Sequence, residues 1–445
     1  MIDTAAYFER WRAGEAQLAG EPPRMLPLME RLWPICRSIT GDGVRQTLDI
    51  IGDCVTLVRE SVPSGTQCFD WIVPPEWNIR DAYVKDASGR RVIDFQQSNL
   101  HVVGYSTPVS GRFTLEALQP HLHSLPSMPD AIPYRTSYYR PTWGFCLRHA
   151  DRERLADGEY EVHIDSTLEP GQLDFAQSVI AGRGREVLLS TYICHPSLAQ
   201  NELSGPVLLT TLMQQLSALP EGRFGYRGVF TPETIGTIAF LSRHYESLNE
   251  RIAAGFVVTC VGDDGPYTYV RSKRGATLAD RAAEHVLAHV HGDREVSVRP
   301  FDPVGSDERQ FCSPGINWPV GSLMRSRHGE YREYHTSLDD LSYVSETGLQ
   351  RSLCAYLRIL QVIEINCRPL RTRPHGEPQL GRYGLYTSMV TASVDEWIRR
   401  LLHVLSFADG DHDLIAIAEG LGVPVWELLP TLEGLAGADL ITLND

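Results

Sequence analysis

The chain has 445 residues, a hydrophobic fraction of 42%, a charged fraction of 22% and a formal net charge of −15 at pH 7. This length exceeds one ordinary core and predicts roughly two or three domains of a soluble globular protein. The negative charge argues against a nucleic-acid surface, which requires a basic patch.

The cysteines and the N-terminal residues predict the compartment. Nine cysteines are scattered along the chain without C-x-x-C spacing, as is typical of reduced thiols rather than a disulfide framework. Residues 1–12 are polar and mixed in charge, and no run is long and apolar enough to cross a bilayer. We therefore expect a cytoplasmic protein without a signal peptide, a membrane span or a membrane partner.

The first fifty residues have the pattern of helices, and the pattern changes near residue 55. Short β-rich pieces such as 67–73 and 79–85 follow, separated by Pro, Gly and Asp turns. Their spacing predicts a small antiparallel domain at 55–120. Strands and helices then alternate up to residue 368, with β-rich runs at 161–166, 186–193, 226–230 and 255–261 and helical segments at 205–216 and 237–248. This alternation predicts an α/β sheet.

A Pro/Arg/Gly-rich linker at 369–383 separates the sheet from a compact C-terminal segment, 384–445. A helix, a glycine turn, a second helix and a terminal strand make a winged-helix pattern. The helix that would read DNA carries Glu427 and Glu433 and no Lys or Arg, although phosphate contacts need cations. We expect a packing or partner-docking module rather than a nucleic-acid reader.

Ionisable residues cluster at four places where the predicted sheet has strand ends or tight turns. In chain order they are His195 with Asn201 and Glu202; Glu233; Asp263 with Asp264; and the segment 306–309 with His335 and Asp339. Functional groups of open α/β sheets gather at the carboxyl ends of the strands. We expect these side chains to share one site.

Metal-assisted hydrolysis is the chemistry that suits this set of residues. Zinc takes neutral histidine nitrogens and carboxylate oxygens, and a catalytic zinc keeps one position open for water. The pKa of that water falls to about 7, so hydroxide forms at neutral pH. A nearby carboxylate that is not a ligand can accept the proton and return it to the leaving amine.

The order of these pieces resembles the zinc-dependent aminopeptidase-like hydrolases, which include bacterial leucine aminopeptidases and glutaminyl cyclases. That family has a histidine after a strand, an Asp-Asn-x-Ser-Gly helix start, a Glu-Glu pair, an aspartate after a strand and a late histidine. NELSGP, PETIG, GDDGP, GSDERQF and EYHTSLDDL look like a bacterial branch of aminopeptidase-like proteins.

The resemblance covers nearly the whole chain. It implies a mixed sheet flanked by helices in an aminopeptidase-like domain at 1–54 and 121–368. It also implies an inserted β domain at 55–120, a winged helix at 384–445 and an association with polysaccharide or natural-product biosynthesis.

The chain departs from the family pattern at several positions. Ser197 stands where the family has the acid that orients the histidine, and Asn201 stands at the bridging aspartate. The Glu-Glu pair reads Pro232-Glu233, and Thr259 falls near the position of the later aspartate. An amide brings no charge to offset the repulsion of two cations, so a two-metal centre is not expected.

We therefore predict a single zinc ion held by His195, His335 and a carboxylate. Glu202 is the expected carboxylate ligand, and Asp263 is the reserve ligand. Glu233 is the expected general base, with Asp307 as a second candidate catalytic acid.

Structural alternatives stand beside these assignments. Asn201 and Glu202 could cap a helix, Glu233 could be a helix-start acid, and Asp263 could be a turn residue. The acids of 306–309 could pair with arginines. Asp339 is a plausible partner for the second ring nitrogen of His335.

Arginine clusters near the predicted site suggest an anionic substrate, small or peptide-like. Arg325, Arg327, Tyr334 and Asn201 are the candidate substrate-binding residues. Surface ion pairing is the alternative explanation for the arginines. A non-hydrolytic scaffold protein, or a metal-assisted acyl transfer or cyclisation enzyme, is the alternative function. The chain could also form a homo-oligomer or bind a biosynthetic partner protein.

Overall fold

The structure is a computed structural model that describes residues 1–290, 296–385 and 392–445. The strands are β1 (Val58–Pro63), β2 (Gln67–Cys68), β3 (Trp71–Ile72), β4 (Glu76–Lys85), β5 (Arg91–Asp94), β6 (Val109–Thr114), β7 (Leu122–His123), β8 (Phe145–Cys146), β9 (Glu159–Glu169), β10 (Gln172–Ile180), β11 (Glu186–Tyr192), β12 (Gly225–Thr231), β13 (Ile252–Val257), β14 (Tyr267–Val270), β15 (Val296–Arg299), β16 (Val320–Met324), β17 (Arg368–Arg371) and β18 (Ile441–Asn444). The α-helices are α1 (Thr4–Ala19), α2 (Leu26–Leu32), α3 (Asp42–Gly52), α4 (Leu115–Leu118), α5 (His149–Arg152), α6 (Ser204–Ser217), α7 (Ile235–Leu248), α8 (Leu278–Val290), α9 (Glu308–Phe311), α10 (Glu346–Ile365), α11 (Ala392–Phe407), α12 (Leu414–Leu421) and α13 (Leu429–Gly437).

The main sheet is mixed, and its strands run in the order β1-β10-β12-β11-β13-β16-β14-β15. Strands β12, β11, β13 and β16 are parallel to one another, whereas β10 pairs antiparallel with β1 and β12, and β14 pairs antiparallel with β16. Every residue of β11 is buried, as expected for a central parallel strand covered on both faces. The predicted α/β class, a mixed sheet flanked by helices, is confirmed.

Helices cover both faces of this sheet. Residues of α6, α8 and α10 share one apolar core with alternate residues of β11 and β13. Residues of α7 pack in a second core on the other face, together with residues of β4 and β9. A Cβ atom at Gly205 would collide with Thr191 Oγ1 and the carbonyl of Val258, so glycine allows α6 to begin against the strand ends.

A second sheet, in the order β5-β4-β9-β6, forms the smaller β unit. Its boundaries differ from the predicted 55–120. Strand β1 belongs to the main sheet, and the second sheet takes β9, which lies beyond residue 120. The apolar residues Tyr160, Val162 and Ile164 alternate with polar ones, and this pattern predicts a strand from the sequence. Pairing between distant strands decides which sheet that strand joins.

The C-terminal winged helix comprises α11, α12, α13 and the pair β17–β18. Its first strand begins one residue before the predicted linker 369–383 and ends within it, and residues 386–391 of the predicted range 384–445 are outside the described residues. The unit is docked on the main domain. Arg281 of α8 binds Asp413 (Nη2 to Oδ1, 2.7 Å), and the Val425 amide donates to His285 Nε2 at 2.9 Å. Arg12 of α1 pairs with Glu433 of α13.

Within the described residues, no single helix is both long and apolar enough to span a bilayer. The segments Leu414–Leu421 and Val425–Gly437 reach that length and composition only as a pair, bent by 96°.

Candidate functional site

The candidate site lies where the parallel strands end. His195 follows β11, Glu233 follows β12, and Thr259 follows β13, each within three residues of its strand. His335 comes from the long loop between β16 and α10. Because parallel strands end at one edge of the sheet, these side chains converge there.

His195 is held by Glu202. The two lie 2.7 Å apart, from Nδ1 to Oε2, and both are buried. A carboxylate accepts a hydrogen bond, so Nδ1 carries the proton and Nε2 faces away from Glu202. Glu202 thus occupies in space the orienting position for which the sequence offered only Ser197. Its own backbone lies in a π-helical turn, Ala199–Leu203, just before α6.

Arg37 is a fully buried cation behind this pair. Its Nε donates to the His195 carbonyl at 2.8 Å, and one Nη donates to the Leu32 carbonyl at 2.8 Å. The guanidinium also lies 3.5 Å from Glu202 Oε1. The charge of the buried carboxylate is therefore compensated within the fold.

Electrostatics make the Nε2 side of His195 attractive to positive charge. Burial lowers the pKa of His195, but Glu202 and then Glu233 outweigh burial, and the net pKa is raised. Glu233 Oε2 lies 3.8 Å from Nε2, on the side opposite Glu202. A position that favours a proton also favours a metal cation, for the same electrostatic reason.

His335 is the second histidine of the site. Its ring lies 5.5 Å from that of His195, centroid to centroid, and is stacked on Tyr334 at 3.9 Å. Burial, with smaller contributions from His195 and His328, lowers the pKa of His335 to about 3. Its Nε2 is buried and has no hydrogen-bond partner among the described residues. This neutral imidazole therefore has a free lone pair, as a metal ligand needs.

Asp339 is not the partner of His335 that the sequence suggested. Its carboxylate accepts the amides of Gln200 at 2.6 Å and Asn201 at 3.0 Å, and the Tyr331 hydroxyl at 3.0 Å. It therefore holds the turn that carries Glu202.

Glu233 is fixed by the segment that contains Ser306 and Asp307. Glu233 Oε1 accepts the Ser306 hydroxyl at 2.8 Å. The buried Asp307 carboxylate accepts the Thr234 amide and the Thr237 hydroxyl, both at 2.8 Å. Thr234 has φ of 63°, a strained value for a β-branched residue. Asp307, a predicted catalytic acid, therefore uses its carboxylate to hold the loop behind Glu233 through these two hydrogen bonds.

Glu308 is a further buried acid beside Glu233. Its Oε1 accepts the Ser306 amide at 3.0 Å, and its Oε2 has no hydrogen-bond partner among the described residues. Burial, and more weakly Glu233, raises the pKa of Glu308 to about 7. Ser306 therefore links two carboxylates that come from distant segments of the chain.

Asp263 and the Nδ2 group of Asn201 make structural contacts. Asp263 accepts Gln200 Nε2 at 2.7 Å, the Gly265 amide at 3.0 Å and the Ser326 amide at 3.2 Å. Asn201 Nδ2 donates to the Tyr192 hydroxyl at 2.8 Å. Both side chains therefore hold loops of the strand-end edge together.

The two arginines predicted to bind substrate have different environments. Arg327 binds Asp302 at 2.7 Å and Glu330 at 3.0 Å, the ion pairing given above as the alternative. Arg325 is fully buried with its guanidinium 4.2 Å from the ring centre of Tyr267. Within the described part of the chain its side-chain nitrogens have no hydrogen-bond acceptor.

Several residues of the site were missed in the sequence. Arg37 lies in a turn-rich loop, and His328 lies in a segment rich in charged residues. Tyr134 and Tyr138 come from the segment before β8. The local signal from which His328 could have been identified is the sequence Arg327-His328-Gly329. Tyr134 has no local signal, because its contacts with His195 and His335 cross more than fifty residues, and Tyr138 reaches the site through its hydroxyl contact with Tyr134.

One close grouping of three metal-ligand residues, Cys194, His195 and Glu202, has ligand atoms within 4.8 Å of one another. Its short contacts, 3.5 Å to the thiol and 2.7 Å to the carboxylate, both involve Nδ1 of His195. Burial raises the pKa of the Cys194 thiol well above its usual range, and the sulfur accepts the Glu233 amide at 3.2 Å. This grouping is a hydrogen-bonded cluster behind the histidine.

Comparisons with known proteins give the family of the chain. Residues 26–366 match the family described as "Domain of unknown function (DUF4910)", and residues 368–443 match a winged helix-turn-helix family. A protein of Clostridium acetobutylicum, provisionally named a polysaccharide biosynthesis protein with an aminopeptidase-like domain, is 46% identical over 420 residues, 94% of this chain and 95% of that protein.

Solved structures give the same picture of the fold. A crystal structure from Clostridium acetobutylicum, provisionally named a peptidase, has a TM-score of 0.88 at 44% identity and covers 98% of both chains. A zinc aminopeptidase of Bacillus subtilis has a TM-score of 0.55 at 12% identity, over 77% of this chain and 95% of that one. A peptidase M28 precursor of Shewanella amazonensis has a TM-score of 0.56 at 12% identity, over 82% and 97%. These two distant neighbours show the aminopeptidase fold alone.

Proposed function

Because this chain belongs to the family described as "Domain of unknown function (DUF4910)", carried on an aminopeptidase-like fold, we propose that it is a metal-dependent hydrolase of amide bonds. One observation carries the proposal. His195, fixed through Nδ1 by Glu202, presents Nε2 to Glu233 beside the unpartnered Nε2 of His335.

The residues present fit zinc. Two imidazole nitrogens and one carboxylate are a donor set of catalytic zinc sites. In this proposal His195 Nε2, His335 Nε2 and Glu233 hold the ion. Zinc at this position would polarise the amide carbonyl and acidify water.

Glu202 has a different role in this proposal from the one expected in the sequence. Its hydrogen bond to Nδ1 makes it the acid that fixes the ring and its tautomer, rather than a ligand. Glu233 takes the place of Glu202 as the carboxylate ligand, and Asp263 is left with its structural contacts.

Glu308 is the proton acceptor in this proposal. Its free Oε2 would take the proton of the attacking water and return it to the leaving amine. A pKa of about 7 suits a group that exchanges protons near neutral pH. The family has two acids where this chain has Pro232-Glu233. In this proposal Glu308, which Ser306 links to Glu233, supplies the second acid.

The substrate class follows from the relative in Clostridium acetobutylicum. Its name couples an aminopeptidase-like domain to polysaccharide biosynthesis. We therefore infer an amide-bearing small molecule or peptide-like precursor of that kind of pathway as the substrate. All nine cysteines lie in described residues and are free thiols, which fits a reducing cytoplasm.

The test compares two conservative variants. Glu308→Gln keeps an acceptor for the Ser306 amide but cannot take a proton, so we expect zinc to stay and turnover to fall by about 100-fold or more. Glu233→Gln removes a charged ligand, so we expect zinc affinity itself to fall by about tenfold or more.

The measurements are zinc content, a chelator-competition Kd and turnover on a panel of aminoacyl and acylated-sugar amides. A wild-type protein that binds no zinc would contradict the whole proposal. Full turnover in Glu308→Gln would remove only the role of Glu308.

A further inference from the structure

Residues 131–138, here called the strap, cross from the smaller β unit to the loop that carries His335. The Tyr134 amide donates to the His335 carbonyl at 2.8 Å, and the Ser337 amide donates to the Ile132 carbonyl at 2.9 Å. The Ile132 amide donates to Ser337 Oγ at 3.0 Å, and Pro133 and Thr336 form an antiparallel bridge. The strap and residues 335–337 are therefore held together mainly by backbone hydrogen bonds.

The other edge of the strap is bound to the β unit. The Gly104 amide donates to the Arg135 carbonyl at 2.8 Å, and the Ser137 amide donates to the Gly104 carbonyl at 2.9 Å. The strap thus lies like a short strand between the β unit and the His335 loop, and its position is set from both sides.

Tyr134 projects from the strap and packs against both histidines. Its ring centre lies 4.9 Å from that of His195 and 5.1 Å from that of His335. Its hydroxyl lies 3.0 Å from the hydroxyl of Tyr138, whose ring packs edge-on against Tyr105 at 5.3 Å. The ring of Tyr134 is therefore held by the two histidine rings, and its hydroxyl is held by Tyr138.

We propose that the β unit completes the metal site through this strap, with Tyr134 as a positioning residue that sets the spacing and orientation of His195 and His335. The inference rests on the proposed function. It assigns to the β unit a part in binding the ion, although none of the proposed ligands belongs to that unit.

The backbone of His335 explains why such support is needed. His335 has φ of 55°, a left-handed conformation that few residues other than glycine adopt readily. The hydrogen bond from Tyr134 and the bonds of Ser337 hold this conformation. Ligands must stay close to their productive geometry for tight binding, so packing against both rings raises metal affinity.

The test is a comparison of three variants for zinc affinity by chelator competition. We expect Tyr134→Ala to weaken zinc binding by about tenfold or more, because both rings lose their support. Tyr134→Phe keeps the ring and should stay within about threefold of wild type. The matched control is Tyr139→Ala, which removes an exposed ring that lies against Trp71, next to the strap.

The second readout does not need the metal. In zinc-free protein, diethyl pyrocarbonate should modify His335 about tenfold faster in Tyr134→Ala than in wild type, while Tyr139→Ala should match wild type. Failure of wild type to bind zinc would contradict the proposed function, yet the modification rates would still test the strap. A Tyr134→Ala protein of normal melting temperature with unchanged zinc affinity and unchanged modification rate would overturn this inference.

Discussion

At the scale of single residues, three buried groups form the foundation of the site: His195, Glu202 and Arg37. The carboxylate bonds the imidazole at 2.7 Å and lies 3.5 Å from the guanidinium, and the guanidinium also bonds the carbonyl of His195. A buried charge is tolerated only when it is paired and hydrogen-bonded. Each member of this trio therefore depends on the other two.

Arg37→Met should destabilise the fold strongly. The variant leaves Glu202 as a buried carboxylate without its cation and removes donors to the carbonyls of Leu32 and His195. Breaking a buried pair in this way costs about 3–5 kcal/mol of the free energy of unfolding, measurable by urea denaturation. Arg31→Met is the control, because the exposed Arg31–Asp53 pair contributes about 0–1 kcal/mol. Equal losses in the two variants would contradict this argument.

Glu202→Gln should weaken zinc binding without removing a ligand. The amide can still accept from Nδ1, but it does not increase the basicity of the ring, and we expect affinity to fall by about 10–100-fold. Asp263→Asn, which alters the reserve ligand predicted from the sequence, should leave zinc affinity within about twofold. Chelator competition on both variants measures this. A larger loss in Asp263→Asn would return Asp263 to the ligand set.

At the scale of elements, the main strands and helices could be read from the sequence because their signals are local. The apolar run 186–193 predicted β11, and the helices predicted at 205–216 and 237–248 correspond to α6 and α7. The sheet to which β9 belongs could not be read, because the pairing of β9 with β4 joins residues some eighty positions apart.

The same distinction separates the site residues that could be predicted from those that could not. His195 and Glu233 stand out because ionisable residues after strands are a local pattern, and His335 stands out in the motif EYHTSLDDL; the structure places all three at one edge. Packing between distant segments sets three other features of the site. These are the hydrogen bond from His195 to Glu202, the hydrogen bond from the Thr234 amide to Asp307, and the position of Tyr134 beside His195. No spacing within the sequence encodes them.

The contact between α8 and the winged helix should be sensitive to acid. His285 accepts the Val425 amide through Nε2 at 2.9 Å, and burial, then His289 and Arg281, lowers its pKa to about 4. The folded state therefore favours the neutral ring. This contribution to stability is fully present above the unfolded pKa of 6.5 and declines as pH falls toward 4.

His285→Gln should lessen this acid sensitivity, because glutamine can accept the same amide but does not titrate. Between pH 7.5 and 5 we expect wild type to lose up to about 1.4 kcal/mol per pH unit relative to the variant, measured by urea unfolding. His375→Gln, at an exposed histidine, should follow wild type. Parallel pH curves for wild type and His285→Gln would show that His285 does not contribute.

At the scale of the whole molecule, the main domain, the β unit and the winged helix are interlocked. Arg45 of α3 bonds Glu76 of β4 and Asp174 of β10, joining the two sheets. Arg281 and His285 of α8 bond the winged helix, and Arg12 of α1 pairs with Glu433. The face of α13 that carries Glu433 is thus in contact with the main domain.

Interlocking predicts cooperative unfolding. Chains with several domains commonly unfold in separate steps, but charged and backbone contacts across each boundary should couple these units. We expect differential scanning calorimetry to give a single transition whose calorimetric and van't Hoff enthalpies agree. The double variant Arg281→Met/Asp413→Asn should separate a second transition for the winged helix. Resolved transitions in wild type would contradict this picture.

The strap has a consequence for how such proteins change over evolutionary time. Under the proposal made above, the geometry of His335 depends on a neighbouring unit, so we expect the β unit and the main domain to diverge together. A chimera that exchanges the β unit without residues 131–138 should lose the histidine geometry while keeping both folds.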